Sequence, residues 1–491
     1  MKRLIALVLA CLMLATFFVS CEKDDVDPDN SDYLPAEDPY EKDDLPELNY
    51  GGENVTMLYW SDRVHKEEFE ITEPSDDLVV NASYKRTKTT EQRLGIKFGY
   101  ASCVGNASGD NTAKFIAFWK KDISSGACEY DVVGCYGLTM AACSTAGLCM
   151  NLKDYDYINL DEPWWPERLQ DQATINKRLY FASGDISLAY LYEMYMMFYN
   201  RNMIEEYRFD TDPLKYALDG TWTWDKFYTY CAAVGANDAN NNGEVDGNDK
   251  YGLIVEYNRL CPIFFSIGVT MVSHDNTGGL SVSDSCYSHK ADQFVADINN
   301  FIHNSGSAYY YPETDEKVRD FFANGNTLFM INRAAVAKTH LAHKEGLEYG
   351  ILPMPKYDEE QEEYVSTLAN GFSMYGISMG IAGEEGRDEM CAAIIECLAS
   401  ESYRQISPVL YETVMKLRYS PDAETAQVYD IVRSTMQFDL ARLFHQALET
   451  FPQSLFKDTI KYNTSWGAQA TTVTRRLNTL IEEVIMSAFQ S

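Results

Sequence analysis

The sequence predicts an α/β protein of two lobes, each built on a mainly parallel sheet with helices on its faces. Three observations carry this. From Asn54 onward, short apolar runs of strand length alternate with longer stretches of helical period, the pattern of strands joined by crossover helices. At 491 residues, 46% hydrophobic and 13% aromatic, the chain is long enough for two or three domains of ordinary size and can bury a large core. After Asn200 no long structureless segment divides it, so two lobes crossed several times by the chain fit better than beads on a string.

The elements follow in order. Lys2 and Arg3, the apolar run Leu4 to Val19, and Ser20-Cys21 read as a bacterial lipoprotein signal peptide spanning residues 1–21. The run is short for a membrane span, and Cys21 would become the first mature residue, carrying lipid that holds the protein on the outer face of the cell membrane. Phe18 stands where such signals usually have Leu, and an ordinary secretory signal cut near Ser20 is the alternative. Residues 22–48 are acidic, punctuated by proline and nearly free of periodic apolar positions, the composition of a disordered tether. The body then begins with a strand at Val55 to Tyr59, a polar helix through Lys85 to Leu94, a strand at Ile96 to Tyr100, a helix at Thr112 to Ile123 and a strand at Tyr130 to Val133. A hairpin is expected at Lys177 to Ala182, turning through Ser183-Gly184-Asp185, before the apolar stretch Leu188 to Tyr199. The second half is mostly helical, with periodic segments at Asp388 to Tyr403, Ala423 to Thr435 and Thr471 to Phe489.

Charge narrows the partners. The chain has 41 Lys and Arg against 74 Asp and Glu, a net charge of -33, which removes nucleic acid and disfavours an anionic ligand. Of twelve cysteines, ten lie beyond the signal, and none forms a C-x-x-C pair, so a zinc site is not expected. For an exported protein this number suggests either disulfides or a reducing, anaerobic habitat.

Residues 238–249, DANNNGEVDGND, match the spacing of a twelve-residue calcium loop. Asp238, Asn240, Asn242 and Asp249 would supply side-chain oxygens, Glu244 its carbonyl, and Asp246 a direct or water-mediated contact. The glycine at position six allows the sharp turn, while Asp rather than Glu at position twelve shortens the last ligand. Ca2+ here is expected to be structural, because no nucleophile or substrate group adjoins it. The plain alternative is a polar Asn/Gly turn without an ion.

Catalytic signatures are sparse. Seven histidines lie in unlike contexts, His340 and His343 lack a third metal ligand, and neither a G-x-S-x-G elbow nor a G-x-x-x-x-G-K-[ST] loop occurs. Paired carboxylates in a cleft remain open as a route to glycoside hydrolysis, since sequence spacing places no limit on them.

A series of short motifs then sets an expectation for function. Met57-Leu58-Tyr59-Trp60-Ser61-Asp62, Tyr130-Asp131-Val132-Val133, Phe198-Tyr199-Asn200-Arg201-Asn202-Met203, Gly220-Thr221-Trp222-Thr223-Trp224-Asp225, Phe321-Phe322-Ala323-Asn324-Gly325-Asn326 and Tyr349-Gly350-Ile351-Leu352-Pro353-Met354-Pro355 occur in this order. Together they resemble the bacterial extracellular solute-binding proteins of the sugar-binding, maltose-binding-protein-like class, the ligand-capturing components of ABC importers. The segment Leu410 to Asp422 is similar to clostridial versions. The resemblance covers almost the whole mature body. It implies a two-lobed periplasmic-binding-protein-like fold whose hinge is crossed three times, with 49–196 plus 370–440 in one lobe and 197–369 plus 441–491 in the other. It further implies a non-enzymatic, monomeric receptor that captures a neutral solute, an oligosaccharide, and delivers it to ABC permease subunits. The alternatives are a lipid-anchored polysaccharide-degrading enzyme and a ligand sensor of the same fold.

Sugars present apolar C–H faces and a rim of hydroxyls, so such a cleft needs flat aromatic platforms beside hydrogen-bonding groups. Alignment to the family motifs places Trp60, Asp62, Tyr136, Glu193, Tyr257, Phe372 and Trp466 in the ligand site. Where relatives often carry a Trp after the later strand, this chain has Arg333-Ala334-Ala335.

Overall fold

The computed structural model describes residues 40–235, 249–312, 315–342, 344–418 and 422–490. The signal segment with Cys21, and the calcium-loop residues Asp238, Asn240, Asn242, Glu244 and Asp246, lie outside them. Of that loop only Asp249 is described, and it is fully buried.

In chain order the strands are β1 (Glu53–Trp60), β2 (Ile96–Cys103), β3 (Val132–Tyr136), β4 (Tyr195–Asn200), β5 (Tyr251–Glu256), β6 (Val272–His274), β7 (Leu280–Val282), β8 (Ala308–Tyr311), β9 (Thr327–Arg333), β10 (Tyr349–Leu352), β11 (Ser366–Thr367), β12 (Ser373–Ile377) and β13 (Met436–Gln437). Two main sheets result, one in the order β12-β3-β1-β2 and one in the order β10-β4-β9-β5-β8. In the first, β1 runs parallel to β2 and β3, and only the edge strand β12 is antiparallel. The second is mixed. β5 is parallel to β8 and β9, whereas β4 is antiparallel to both of its neighbours, β9 and β10. The chain passes from the first sheet to the second after Tyr136, returns after Leu352, and leaves again after Glu401 for helices Phe451–Lys461 and Trp466–Leu480, which pack on helix His289–Asn304.

Local chemistry sets the crossovers. Helix Leu78–Leu94 joins β1 to β2 and begins seven residues before the expected start, because the Asp77 carboxylate accepts from the Val79 and Val80 amides and caps it there. It stops at Gly95, whose φ of 62° is the left-handed conformation that ends helices. The expected hairpin at 177–185 does not form a ladder. Ala182 bridges instead to Tyr375, and the turn folds onto Trp164, whose carbonyl lies 2.3 Å from where a Cβ on Gly184 would stand. The long apolar stretch divides into helix Leu188–Tyr192 and strand β4.

The folded body reaches back into the acidic segment. The Asp43 carboxylate accepts from the Arg93 guanidinium at 2.5 and 2.8 Å, and its amide donates to Ser400 Oγ at 3.1 Å. An unpaired acid in the tether thus finds a cation on the first lobe. At the other end, helix Ala423–Ser434 packs against β10 and helix Pro213–Leu218, with Arg201 donating to Asp422 and to Thr425 Oγ1. Part of the stretch assigned to the first lobe therefore rests on the second.

Helix Arg387–Glu401 is buried on all sides from Met390 onward, which marks it as a core helix rather than an amphipathic one. Its Glu396 accepts the indole N–H groups of Trp164 and Trp165, both at 2.9 Å. Burial pushes this carboxyl up to about 8 against the lowering pull of those two donors. Ten described cysteines are all free thiols, eight of them buried.

Candidate functional site

Parallel strands of both sheets end at one edge of the molecule, where antiparallel β4 and β12 begin. In open α/β sheets that edge is where ligands bind. A cavity of about 370 Å³ opens there, within the roughly 300–1,000 Å³ range of small-molecule clefts. Trp60 ends β1 and Asp62 follows it, Asn106 and Ser108 follow β2, and Tyr136 ends β3. From the second sheet come Asn258 and Arg259 after β5, Arg333 at the end of β9, and Tyr195 at the start of β4 with Glu193 just before it. Asn370 and Gly371 enter ahead of β12, and Arg442, Gln453 and Lys457 come from the late helices.

Four of the seven expected residues thus meet in one cleft. Trp60 is only 1% exposed, its indole N–H donates to Ser373 Oγ at 2.9 Å, and its ring meets Tyr136 edge-on at 5.2 Å. Asp62 shapes the wall by accepting from the Gly105 amide at 2.8 Å, the Asn106 amide at 3.2 Å and Asn111 Nδ2 at 3.1 Å. Gly105 allows this loop to close down, since a Cβ there would stand 2.8 Å from the Trp60 Cβ.

Glu193 ties the two sheets together at the base. It is 1% exposed, with Arg333 Nη1 at 3.1 Å and His65 Nε2 at 3.0 Å from Oε1. His65 in turn stacks on Tyr192 at 4.7 Å. Burial presses the Glu193 carboxyl upward, but Arg333, His65 and the more distant Arg259 outweigh it and hold it below the usual carboxylate range.

Tyr257, Phe372 and Trp466 take other positions. Tyr257 is one residue from the lining. Its hydroxyl donates to Asp458 at 2.6 Å, and Lys457 lies over its ring at 4.3 Å, so it supports a lining residue. Phe372 backs the cleft from a small neighbouring cavity, stacked on Phe438 at 5.5 Å. Trp466 lies in the second lobe's interior, 2% exposed, with its ring 4.7 Å from Phe264 and its N–H donating to the Cys286 carbonyl at 2.8 Å. It borders a different cavity, beside Asp292 and Asn299.

The basic side chains of the cleft were not among the expected residues. Arg259 binds Asp315 at 2.8 Å, and Arg442 donates to the Leu368 carbonyl at 3.0 Å and to Asn370 Oδ1 at 2.8 Å. Arg333, which reads in the sequence only as a missing platform, is the Glu193 partner. A strand-end position marks Arg259 and Arg333 in retrospect; nothing local marks Arg442 or Lys457. The lining combines the half-buried ring of Tyr136, backed by Trp60, with convergent hydrogen-bond donors, the equipment for holding an oxygen-rich solute.

Comparison with known proteins places the fold. Residues 109–406 match the family model described as bacterial extracellular solute-binding protein. The cyclic alpha-maltosyl-1,6-maltose binding protein from Arthrobacter globiformis is similar over 88% of this chain and 100% of its own, at 11% identity and a TM-score of 0.59. The galacto-N-biose-/lacto-N-biose I-binding protein of an ABC transporter from Bifidobacterium longum, solved with lacto-N-biose, is similar over 90% of this chain and 99% of its own, at 12% identity and a TM-score of 0.57. A cyclo/maltodextrin-binding protein complexed with maltotetraose is similar over 89% and 98%, at 14% identity and a TM-score of 0.56. No curated protein sequence matches the chain.

Proposed function

The chain belongs to the family of bacterial extracellular solute-binding proteins, and from that membership we propose that it captures a carbohydrate between its two sheets and delivers it to an ABC import permease. The observation that carries this reading is the cleft at the converging strand ends, whose lining sets Tyr136 and Trp60 among polar groups of both lobes. A solute touching both lobes favours the closed arrangement, and a permease that recognises closure would then be offered loaded receptor. The structural relatives bind maltotetraose and lacto-N-biose through the same fold, which supports a sugar as the solute.

Hydrolysis is the weaker reading. A glycosidase needs one carboxyl kept protonated as general acid, whereas Glu193 is held ionised by Arg333 and His65, and Asp62 is occupied with backbone amides. A thermal-shift screen against a glycan panel separates the two. Capture gives saturable stabilisation, about 2.7 kcal/mol at a hundredfold excess over Kd, with no new reducing ends. Reducing ends, or indifference to every glycan, would sink it. The same screen run with calcium and then a chelator tests a structural Ca2+ in residues 238–249; a melting temperature blind to both removes it.

Lipid anchoring through Cys21 belongs to the same proposal. No helix among the described residues is long and apolar enough to cross a membrane, so retention at the cell surface would rest on the N-terminal lipid. Cys21→Ala should move the protein from the membrane fraction to the medium. Equal partitioning of variant and parent would refute the anchor.

A further inference from the structure

The cleft opposes the charge of the chain around it. Against a net charge of -33, its lining carries Arg259, Arg333, Arg442 and Lys457 and only two carboxylates, Asp62 and Glu193. Two of the cations are matched: Arg259 by Asp315 and Arg333 by Glu193. Arg442 and Lys457 have no carboxylate at ion-pair distance among the described residues, and both are buried. The acids nearest in sequence are engaged elsewhere. Asp439 accepts from the backbone amides of Arg442 and Met271, Asp458 from the Tyr257 hydroxyl, and Glu256 from the Asn258 amide.

A second observation is independent of charge. Arg442 is 6% exposed, yet its Nε has no acceptor, and neither has the Nε of Arg333. Gln453 adds an unpartnered amide nitrogen. All the orphaned buried side-chain atoms of the lining residues are therefore donors. These N–H groups have almost no accessible surface, so their uncompensated partial charge adds to the positive character of the protein behind the cavity. His445 records the local field: burial first, then the charges of Lys457 and Arg442, push its imidazole down to about 4, so it stays neutral beside them.

We propose that the captured sugar is acidic, and that Arg442 and Lys457 receive its anionic group while Tyr136, backed by Trp60, receives the ring. The proposal rests on the carbohydrate reading above and names the class of sugar. It reverses the preference for a neutral solute drawn from overall charge, because the acidic residues crowd the surface and not this cleft. A guanidinium beside an ammonium suits a carboxylate or a sulfate ester alike, both presenting charged oxygens to N–H donors.

Calorimetry with the full-length protein tests this using matched ligands. Uronate disaccharides are titrated against their own C6 methyl esters, and sulfated disaccharides against their desulfated forms, so that only charge changes within each pair. At least one acid should bind about tenfold or more tighter than its neutral twin, as charged contacts in closed sites do, and should weaken as salt is raised. Preference for uronates assigns the group as carboxylate, and preference for sulfated sugars assigns it as sulfate. Lys457→Met and, separately, Arg442→Gln should each reduce the acid-to-neutral ratio at least about fivefold. Lys457 makes no hydrogen bond that holds the fold, so its variant stays informative if Arg442→Gln fails to fold. Neutral twins that bind as tightly as the acids, or a ratio untouched by Lys457→Met, would overturn the proposal and leave sugar capture standing. If no sugar of either charge binds, the carbohydrate reading falls, and this inference with it.

Discussion

Trp466→Ala lowers the unfolding free energy by about 3–5 kcal/mol and leaves the ligand affinity of the folded protein unchanged. The ring is among the largest fully buried side chains, packed between Phe264 at 4.7 Å and Phe456 at 6.4 Å. Truncation removes that apolar contact, opens a void beside two aromatic rings, and strips the Cys286 carbonyl of its donor. The effect is read by denaturant unfolding together with titration at a denaturant-free temperature where both proteins are folded. A loss of affinity with unchanged stability would return Trp466 to the cleft as a stacking platform, as its position in the sequence suggests.

Glu193→Ala is expected to be of similar size, about 3–5 kcal/mol, for a different reason. Removing the carboxylate leaves the half-buried Arg333 without its charge partner, with its Nε already unpartnered, and takes the acceptor from His65. Glu193→Gln keeps one acceptor and should lose less. The pH dependence has a definite sign. The carboxyl is held below its ordinary 4.5 in the folded protein, so its contribution is full above about pH 4.5 and fades as the pH falls through the folded-state value. The stability gap between parent and Glu193→Gln should therefore narrow below pH 4.5. A gap that is constant with pH would mean that the pair does not hold the carboxylate ionised. Because His65 follows β1 and Arg333 ends β9, the same variant loosens the join between the sheets, and ligand affinity should fall with stability.

How much of this was legible in the sequence depends on what each residue's position encodes. Strand β1 shows in an apolar run that stops at Trp60, so Trp60 and Asp62 can be placed at a strand end, which the resemblance to the family then makes a cleft edge. Tyr136 and Glu193 follow in the same way, from their places beside β3 and β4 together with the family motifs. Trp466 illustrates the limit. An aromatic at a helix start looks the same in the letters whether it faces a ligand or Phe264, and only the packing of helices Phe451–Lys461 and Trp466–Leu480 decides. Arg442 and Lys457 are further from reach, since a short helix and a long one must fold back across the chain before the two cations share a wall. Overall charge misleads for a related reason: it averages a surface and a cavity whose compositions differ in sign. The alternation of strands and helices foretells a parallel sheet for the first lobe, but the reversed direction of β4 is set by how the chain enters the second sheet, which periodicity does not record.

About half of the cleft's lining comes from loops beyond the strand ends, at 62–64, 106–108 and 369–371, and the rest from the end residues of strands and from the late helices, while the sheets and the helices behind them bury the core. The loop part of the lining is thus separate from the side chains that carry the architecture. Substitutions at 106–108, 258 or 453 can retune which guest is accepted without unsettling the scaffold, so descendants of this chain can change diet quickly. Glu193 and Arg442 belong to both sets, and evolutionary drift there is the most constrained.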